Sequence, residues 1–174
     1  MRTYVIQIAA GREQQMLRRI QRVTADEPRT TCYCPRFAYQ KKVKGAWELE
    51  EKPLTPGYLY VETPDPQNFE KLLQQIPGYA HLLRMNGQIV PLSTEEVAWL
   101  SALTGENHVV ELSFGIMVGD RVTIVDGPLK GLESTIVKFD RHKRFAYVDI
   151  QLLGRTTTIK VGAEIVRKVD GLGG

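Results

Sequence analysis

Arg141-His142-Lys143-Arg144 puts three permanent cations and one titratable imidazole on four consecutive positions. Strand-like runs flank the segment, so it tips a hairpin whose side chains fan into solvent and suit contacts with phosphate oxygens. An ordinary solvated turn is built from the same residue types. Arg155 and Lys160 fall on or beside the next run, and Lys130 sits in the Gly127-Pro128-Leu129-Lys130-Gly131 turn, so all three extend the basic surface. Thr156, Thr157 and Thr158 offer hydroxyls to a nucleic-acid backbone and are equally good strand formers. His142 or Phe145 offers a ring for an exposed base, although its alternation with Tyr147 turns Phe145 toward a core. A second basic tip, Lys41, Lys42 and Lys44, suits a DNA strand. Its alternative is a solvated turn offset by Glu48, Glu50 and Glu51 on the return strand.

Catalysis finds no comparable constellation. His81, His108 and His142 are scattered, and the chain lacks a phosphate-binding Gly-Lys-Ser/Thr and a Gly-x-Ser-x-Gly. Cys32 and Cys34 lie one residue apart with no second Cys or His pair, so neither a zinc site nor an easy disulfide follows. No catalytic residue, metal or cofactor is expected.

The 174 residues are 43% hydrophobic and 25% charged, which excludes a wholly disordered chain. No apolar run nears the roughly 18 residues of a membrane helix, and the first residues lack a signal-peptide core. A reduced, cytoplasmic, monomeric protein without membrane contact is expected. The net charge of +3 is unevenly placed. Residues 1–117 hold 13 basic and 13 acidic side chains, whereas 118–174 hold 10 basic and 7 acidic. The last third is therefore the nucleic-acid candidate.

The elements that must position these groups follow from periodicity. Tyr4, Ile6 and Ile8 alternate as a strand, and Met16, Leu17, Ile20 and Val23 follow at helical spacing. Thr31 to Tyr39 alternates again, with Tyr33, Phe37 and Tyr39 on one face and Cys32, Cys34 and Arg36 on the other. Residues 41–45 turn into a return strand from Ala46 to Glu50. Leu54 to Val61 reads as a turn and a buried strand. Asp65 caps a helix with Pro66 at its first position and an apolar stripe of Phe69, Leu72, Leu73 and Ile76. Ser93-Thr94-Glu95-Glu96 is a capping box ahead of Val97, Leu100 and Leu103. From Gly119 onward only short β-branched runs appear, at 121–125, 135–139, 145–151 and 156–161, the spacing of a small barrel of roughly 55 residues. The expected architecture is α+β, an antiparallel sheet with about three helices and then an all-β barrel. The boundaries are 1–104, a linker at 105–117, the barrel at 118–170 and a tail at 171–174.

Two groups of residues carry a resemblance. One is Tyr4-Val5-Ile6-Gln7 with Gly11, Pro56-Gly57-Tyr58-Leu59-Tyr60-Val61 and Ile76-Pro77-Gly78. The other is Val118-Gly119-Asp120-Arg121-Val122-Thr123-Ile124 with Gly127-Pro128-Leu129-Lys130-Gly131. In this order and separation they resemble the NusG family of transcription elongation factors, an N-terminal NGN domain followed by an SH3-like KOW barrel. Residues 140–144 and 153–157, with the hairpin strand 45–50, resemble the specialised LoaP-type antiterminators.

The resemblance implies a non-enzymatic factor that docks its NGN domain on the clamp helices of RNA polymerase, suppresses pausing and is recruited by a nascent RNA hairpin through its KOW domain. It assigns RNA contact to Lys130, Arg141, His142, Lys143, Arg144, Arg155 and Lys160. It assigns polymerase contact to Tyr4, Leu54, Tyr58, His81 and Arg84, and contact with upstream or non-template DNA to Lys41, Lys42 and Lys44. Two alternatives stand beside it: a general factor whose barrel binds Rho or a ribosomal protein, and a ribosome-associated RNA-binding protein. Thr3, Thr55 and Ser134 depart from the family pattern. The first two replace aromatics and are expected to weaken the apolar grip on polymerase. Ser134 replaces a glycine and is expected to strain a turn at positive φ.

Overall fold

The computed structural model describes residues 1–169, and the tail read at 171–174 lies outside the described residues. In chain order the elements are β1 (Arg2–Ile8), α1 (Glu13–Val23), β2 (Thr31–Tyr33), β3 (Arg36–Val43), β4 (Ala46–Pro53), β5 (Tyr58–Thr63) and α2 (Pro66–Leu73). There follow β6 (Ala80–Leu82), β7 (Arg84–Met85), β8 (Gln88–Ile89), α3 (Thr94–Thr104), β9 (Val109–Val110), β10 (Ser113–Val118) and β11 (Arg121–Asp126). A 3-10 turn at Glu133–Thr135 leads to β12 (Ile136–Asp140), β13 (Phe145–Leu152) and β14 (Arg155–Val169). This is the α+β class, with three helices and several sheets. The chain divides into two compact units: Met1–Pro35 with Thr55–Ala98, and Arg36–Leu54 with everything from Trp99 onward. That division puts the β3–β4 hairpin in one body with the barrel, whereas the sequence pattern groups it with residues 1–104.

The first unit is an antiparallel sheet in the order β2-β5-β1-β6, with α1 and α2 packed on it. Its core gathers Tyr4, Ile6 and Ile8 of β1 with Met16, Ile20, Leu59, Val61, Phe69 and Leu73. Burying each such aliphatic or aromatic side chain contributes about 1.5–3 kcal/mol before chain entropy is charged against it. Glu13 is also buried, and its Oε1 accepts the backbone N–H groups of Gly11 and Gly57 at 3.1 and 3.0 Å, which fixes the 8–12 loop to the 54–57 turn. Asp65 Oδ1 accepts the Asn68 N–H at 3.0 Å with Pro66 inside the cap. Ser93 and Glu96 satisfy each other's backbone N–H at 3.1 and 2.9 Å, the reciprocal pair that the capping box anticipates.

Thr3 and Thr55 are both only 5% exposed, so neither is part of a weakened surface grip. The Thr55 hydroxyl lies 3.0 Å from the Tyr60 hydroxyl and satisfies a polar atom that would otherwise be stranded in the core. Burial pushes that phenol up to about 12.

In the second unit β3 and β4 form a hairpin whose two-residue turn, Lys44-Gly45, has φ of +49° and +84°. Successive left-handed residues match the right-handed twist of the flanking strands, and Leu153-Gly154 repeats the device between β13 and β14 at +52° and +73°. The Thr31–Tyr39 run is two strands rather than one, broken at Cys34-Pro35, because a proline cannot continue the ladder. Phe37, Ala38 and Tyr39 are all buried, and both cysteines are buried thiols.

The barrel is a five-stranded sheet ordered β11-β10-β14-β13-β12. Its first strand, β10, lies in the segment read as linker, and β9 in the same segment pairs parallel with Arg36 and Phe37. Ser113 begins β10 and is fully buried, with its Oγ accepting the Leu129 N–H at 3.0 Å. Ser134 sits in the 3-10 turn and is not among the residues at positive φ, so the strain expected there does not arise. The neighbouring Glu133 caps Ile124 N–H at 3.0 Å, and these backbone hydrogen bonds hold its carboxyl below the usual range.

Candidate nucleic-acid interface

The Asp140–Arg144 turn joins β12 to β13 and is closed by the Lys143 N–H donating to Asp140 Oδ1 at 3.0 Å. Arg141, His142 and Lys143 are exposed on it, as are Lys130 on its own turn and Arg155 at the start of β14. Lys138, Phe139, Asp140, Arg141, His142 and Arg144 line one cleft beside this turn.

Arg144 does not fan into solvent with its neighbours. Its φ of +58° turns the side chain back onto the hairpin, where Nη1 donates to Gln40 Oε1 at 2.9 Å and lies 3.3 Å from Glu164 Oε1. The guanidinium sits 3.8 Å from the centre of the Trp47 ring. A cation matched by a carboxylate, an amide oxygen and a π face is already satisfied, so Arg144 is a structural clamp in this conformation.

Phe145 also departs from expectation. Along β13 the core face is Ala146, Val148 and Ile150, and Phe145 is on the opposite face with Tyr147. It is buried there by the hairpin, with its ring centre 5.3 Å from that of Tyr39 and 6.4 Å from that of Phe37. Directly across the ladder Phe145 faces Gly162, where a side chain would meet the Ala38 carbonyl oxygen and the Tyr39 Cα. The glycine thus lets the β3 backbone lie on the barrel.

Lys160 is half-buried on this same face, with its Nζ 4.5 Å from the Phe145 ring centre. Burial, with Lys52 and Lys143 nearby, holds its ammonium below the ordinary lysine range. Lys52 of β4 was not singled out by sequence. Its Nζ is 5.1 Å from the Tyr39 ring centre. The Tyr39 hydroxyl donates to Glu50 Oε2 at 2.6 Å, which lowers the Glu50 carboxyl; burial and this bond push the phenol up to about 12.

At the hairpin tip Lys41 pairs with Glu50 at 3.7 Å, Lys42 lies 5.9 Å from the Trp47 ring centre, and Lys44 is exposed in the turn. In the first unit Tyr4 is 7% exposed and packed in the core, and in the second Leu54 is 2% exposed. Neither offers an exposed grip in this structure. Tyr58 is half-buried. His81 is exposed, edge-on to the exposed Tyr79 ring at 4.6 Å, whereas Arg84 is held by Glu70 at 2.6 Å and by the Gly87 carbonyl oxygen at 3.0 Å. Among the described residues no group of three or more His, Cys, Asp or Glu is placed to hold a metal ion, and no helix is long and apolar enough to cross a membrane.

Comparisons with known proteins agree with this architecture. The NusG family model, described as transcription termination factor nusG, matches residues 1–101. The transcription termination/antitermination protein NusG of Rickettsia prowazekii is 27% identical over 96% of this chain and 90% of its own length. That of Lactococcus lactis is 28% identical over 96% and 92%. A solved structure of Thermotoga maritima NusG, whose subject is domain interaction, covers 92% of this chain and 93% of its own at a TM-score of 0.53 and 18% identity, which is a likeness of fold. The chain belongs to the NusG family of transcription termination/antitermination factors.

Proposed function

We propose that the protein is a specialised antiterminator that works by occupancy. Residues 1–104 would bind the clamp helices of RNA polymerase, suppressing pausing and termination, while the barrel takes hold of a hairpin in nascent leader RNA. The single observation that carries this reading is the exposed Arg141-His142-Lys143 turn with Lys160 beside it, on a body that holds the chain's net positive charge. A-form RNA hides its bases in a deep groove, so shape, phosphates and loop bases must be read by such projecting cations. Two weak contacts on one chain raise each other's effective concentration, which makes recruitment selective. Lys41, Lys42 and Lys44 provide a further basic tip that reaches toward upstream or non-template DNA, and Tyr58 and His81 are the accessible polymerase contacts of the first unit.

The test uses the whole chain with core polymerase and the leader transcript of the operon directly downstream of its gene. Retention on polymerase, and read-through of a terminator only when that leader is present, is the expected result. A chain that polymerase does not retain overturns the reading.

A second reading keeps the polymerase contact and gives the barrel a protein partner, Rho or a ribosomal protein. The observation favouring it is apolar: Val118, Val125, Val137 and Val166 are all at least 40% exposed on the barrel strands. Leader-independent effects on termination, without RNA binding, would select it.

A further inference from the structure

Three lysines from three separate segments converge where the hairpin lies on the barrel: Lys52 of β4, Lys143 of the 140–144 turn and Lys160 of β14. Lys52 and Lys160 stand over two rings, Tyr39 and Phe145, whose centres are 5.3 Å apart. The ladder explains the convergence. Lys160 is directly opposite Tyr147, two positions along β13 from Phe145, and Lys52 is directly opposite Phe37, two positions along β3 from Tyr39. All of these side chains therefore share the faces that meet.

No described carboxylate lies within ion-pair distance of any of the three. The nearby acids are committed elsewhere: Glu50 to the Tyr39 hydroxyl and Lys41, Glu51 to Arg36, and Glu164 to Arg144. Glu50 feels Lys52 only after these stronger partners. Three like charges are thus held together with only two ring faces and the more distant Glu50 carboxylate to offset their repulsion. Packing explains why the lysine stems are there, since they cover aromatic rings. Packing and cation–π contact account for Lys52 and Lys160, but not for Lys143, a third cation beside them that stands over no ring among those described.

We infer that Lys52, Lys143 and Lys160 form a composite phosphate cradle, assembled by the hairpin and the barrel together, for the backbone of the RNA whose hairpin the Arg141–Lys143 turn approaches. This rests on the RNA reading proposed above and extends it to β4, outside the barrel. Lysine ammoniums bind phosphate as hydrated point charges, and a strand that presents a phosphate at every residue meets such a set without the fixed fork geometry an arginine imposes. Arg144 is excluded from the cradle because it is spent holding the hairpin. Burial first, and then the neighbouring lysines, hold the Lys160 ammonium down, and phosphate entry would relieve the second of these.

The experiment measures binding of the full chain to a fluorescein-labelled RNA hairpin from the downstream operon's leader, across a salt series, with the DNA hairpin of the same sequence in parallel. Lys52→Gln and Lys160→Gln should each weaken RNA binding about fivefold at low salt and flatten the log–log salt slope by about one. Lys52→Arg should restore both, which separates charge from packing, and thermal melts should show that all variants fold. If Arg141→Gln weakens binding while Lys52→Gln and Lys160→Gln leave affinity and slope unchanged, the cradle is overturned and the RNA reading stands. If the unaltered chain binds no RNA, both fall. Equal affinity for the DNA hairpin with the same lysine dependence overturns the assignment to RNA.

Discussion

Replacing Gly162 by alanine tests whether the hairpin and the barrel are one packed body. The φ of Gly162 is ordinary, so the substitution strains no backbone angle, and its effect is purely one of space. The added methyl would meet Leu112 Cδ2 at 2.7 Å, the Tyr39 Cα at 2.9 Å and, closer still, the Ala38 carbonyl oxygen. The leucine end can swing away, but the two β3 backbone atoms cannot without moving the strand. Overpacking of that kind costs about 1–3 kcal/mol. The alternative route is for β3 to lift off, which forfeits the stacking of Phe37 and Tyr39 on Phe145 at about 0.5–1.5 kcal/mol per ring pair beyond the area lost. Two ring pairs and the lost area make lift-off the dearer route, so the loss falls at the overpacking cost of about 1–3 kcal/mol. Urea unfolding should be followed at Trp47, in a Trp99→Phe background that leaves one tryptophan, so that the signal reports the hairpin itself where the two compact units unfold separately. Trp47 lies beneath the Arg144 guanidinium, so lift-off also shifts its emission. A Gly162→Ala protein within about 0.5 kcal/mol of the parent, with unchanged Trp47 emission, would refute the packing argument.

Tyr39→Phe should let the Glu50 carboxyl rise toward its usual range, because the Tyr39 hydroxyl is the largest influence holding it down. The sign follows: a depressed carboxylate stabilises the fold above its unfolded value and loses that contribution as pH falls through the folded one, so the variant should lose less on acidification. Carbon-detected NMR titration of Glu50 reads the shift directly, and an unmoved midpoint would contradict it. Glu13→Ala strands the Gly11 and Gly57 N–H groups and should cost about 2–4 kcal/mol by denaturant unfolding. Thr55→Val leaves the Tyr60 hydroxyl without its partner in the core and should cost about 1–3 kcal/mol, although it adds no exposed apolar surface.

Local signals were legible in the sequence where they are self-contained. The Asp65-Pro66 cap, the Ser93–Glu96 box and the Lys44-Gly45 turn each depend on residues within four positions of one another, and each is present. The barrel strands after Gly119 were legible for the same reason. What escaped was set by distant pairing. The first barrel strand was hidden in an apparent linker because Ser113–Val118 contains Gly115 and lacks a clean alternation; its place comes from pairing parallel to β14, some fifty residues on. The alternation of β13 was read correctly in period and assigned the wrong buried face, since Phe145 is buried by a hairpin that precedes it by a hundred residues. Local sequence carries no information on which side of a sheet is covered, so Thr3 and Thr55 read as surface losses although both are buried.

The positive charge of the last third is therefore two populations with different work. Arg144 is spent: its partners Gln40, Trp47 and Glu164 tie the barrel turn to the hairpin, and removing it should loosen that body before it affects any ligand. Arg141, Lys143, Lys160 and Lys52 have no carboxylate within ion-pair distance among the described residues, Lys52 and Lys160 having a ring face each, and burial and mutual repulsion already disfavour the charge on Lys160. A sequence count treats all of these as equivalent. The geometry separates a guanidinium tied to a carboxylate, an amide oxygen and a ring from cations with no carboxylate within ion-pair distance among the described residues. It also groups Lys52, whose strand β4 lies within the residues the family model matches, with the barrel rather than with the first unit. If the surface reads nucleic acid, its outline follows the packed body of hairpin and barrel rather than the boundary drawn from sequence.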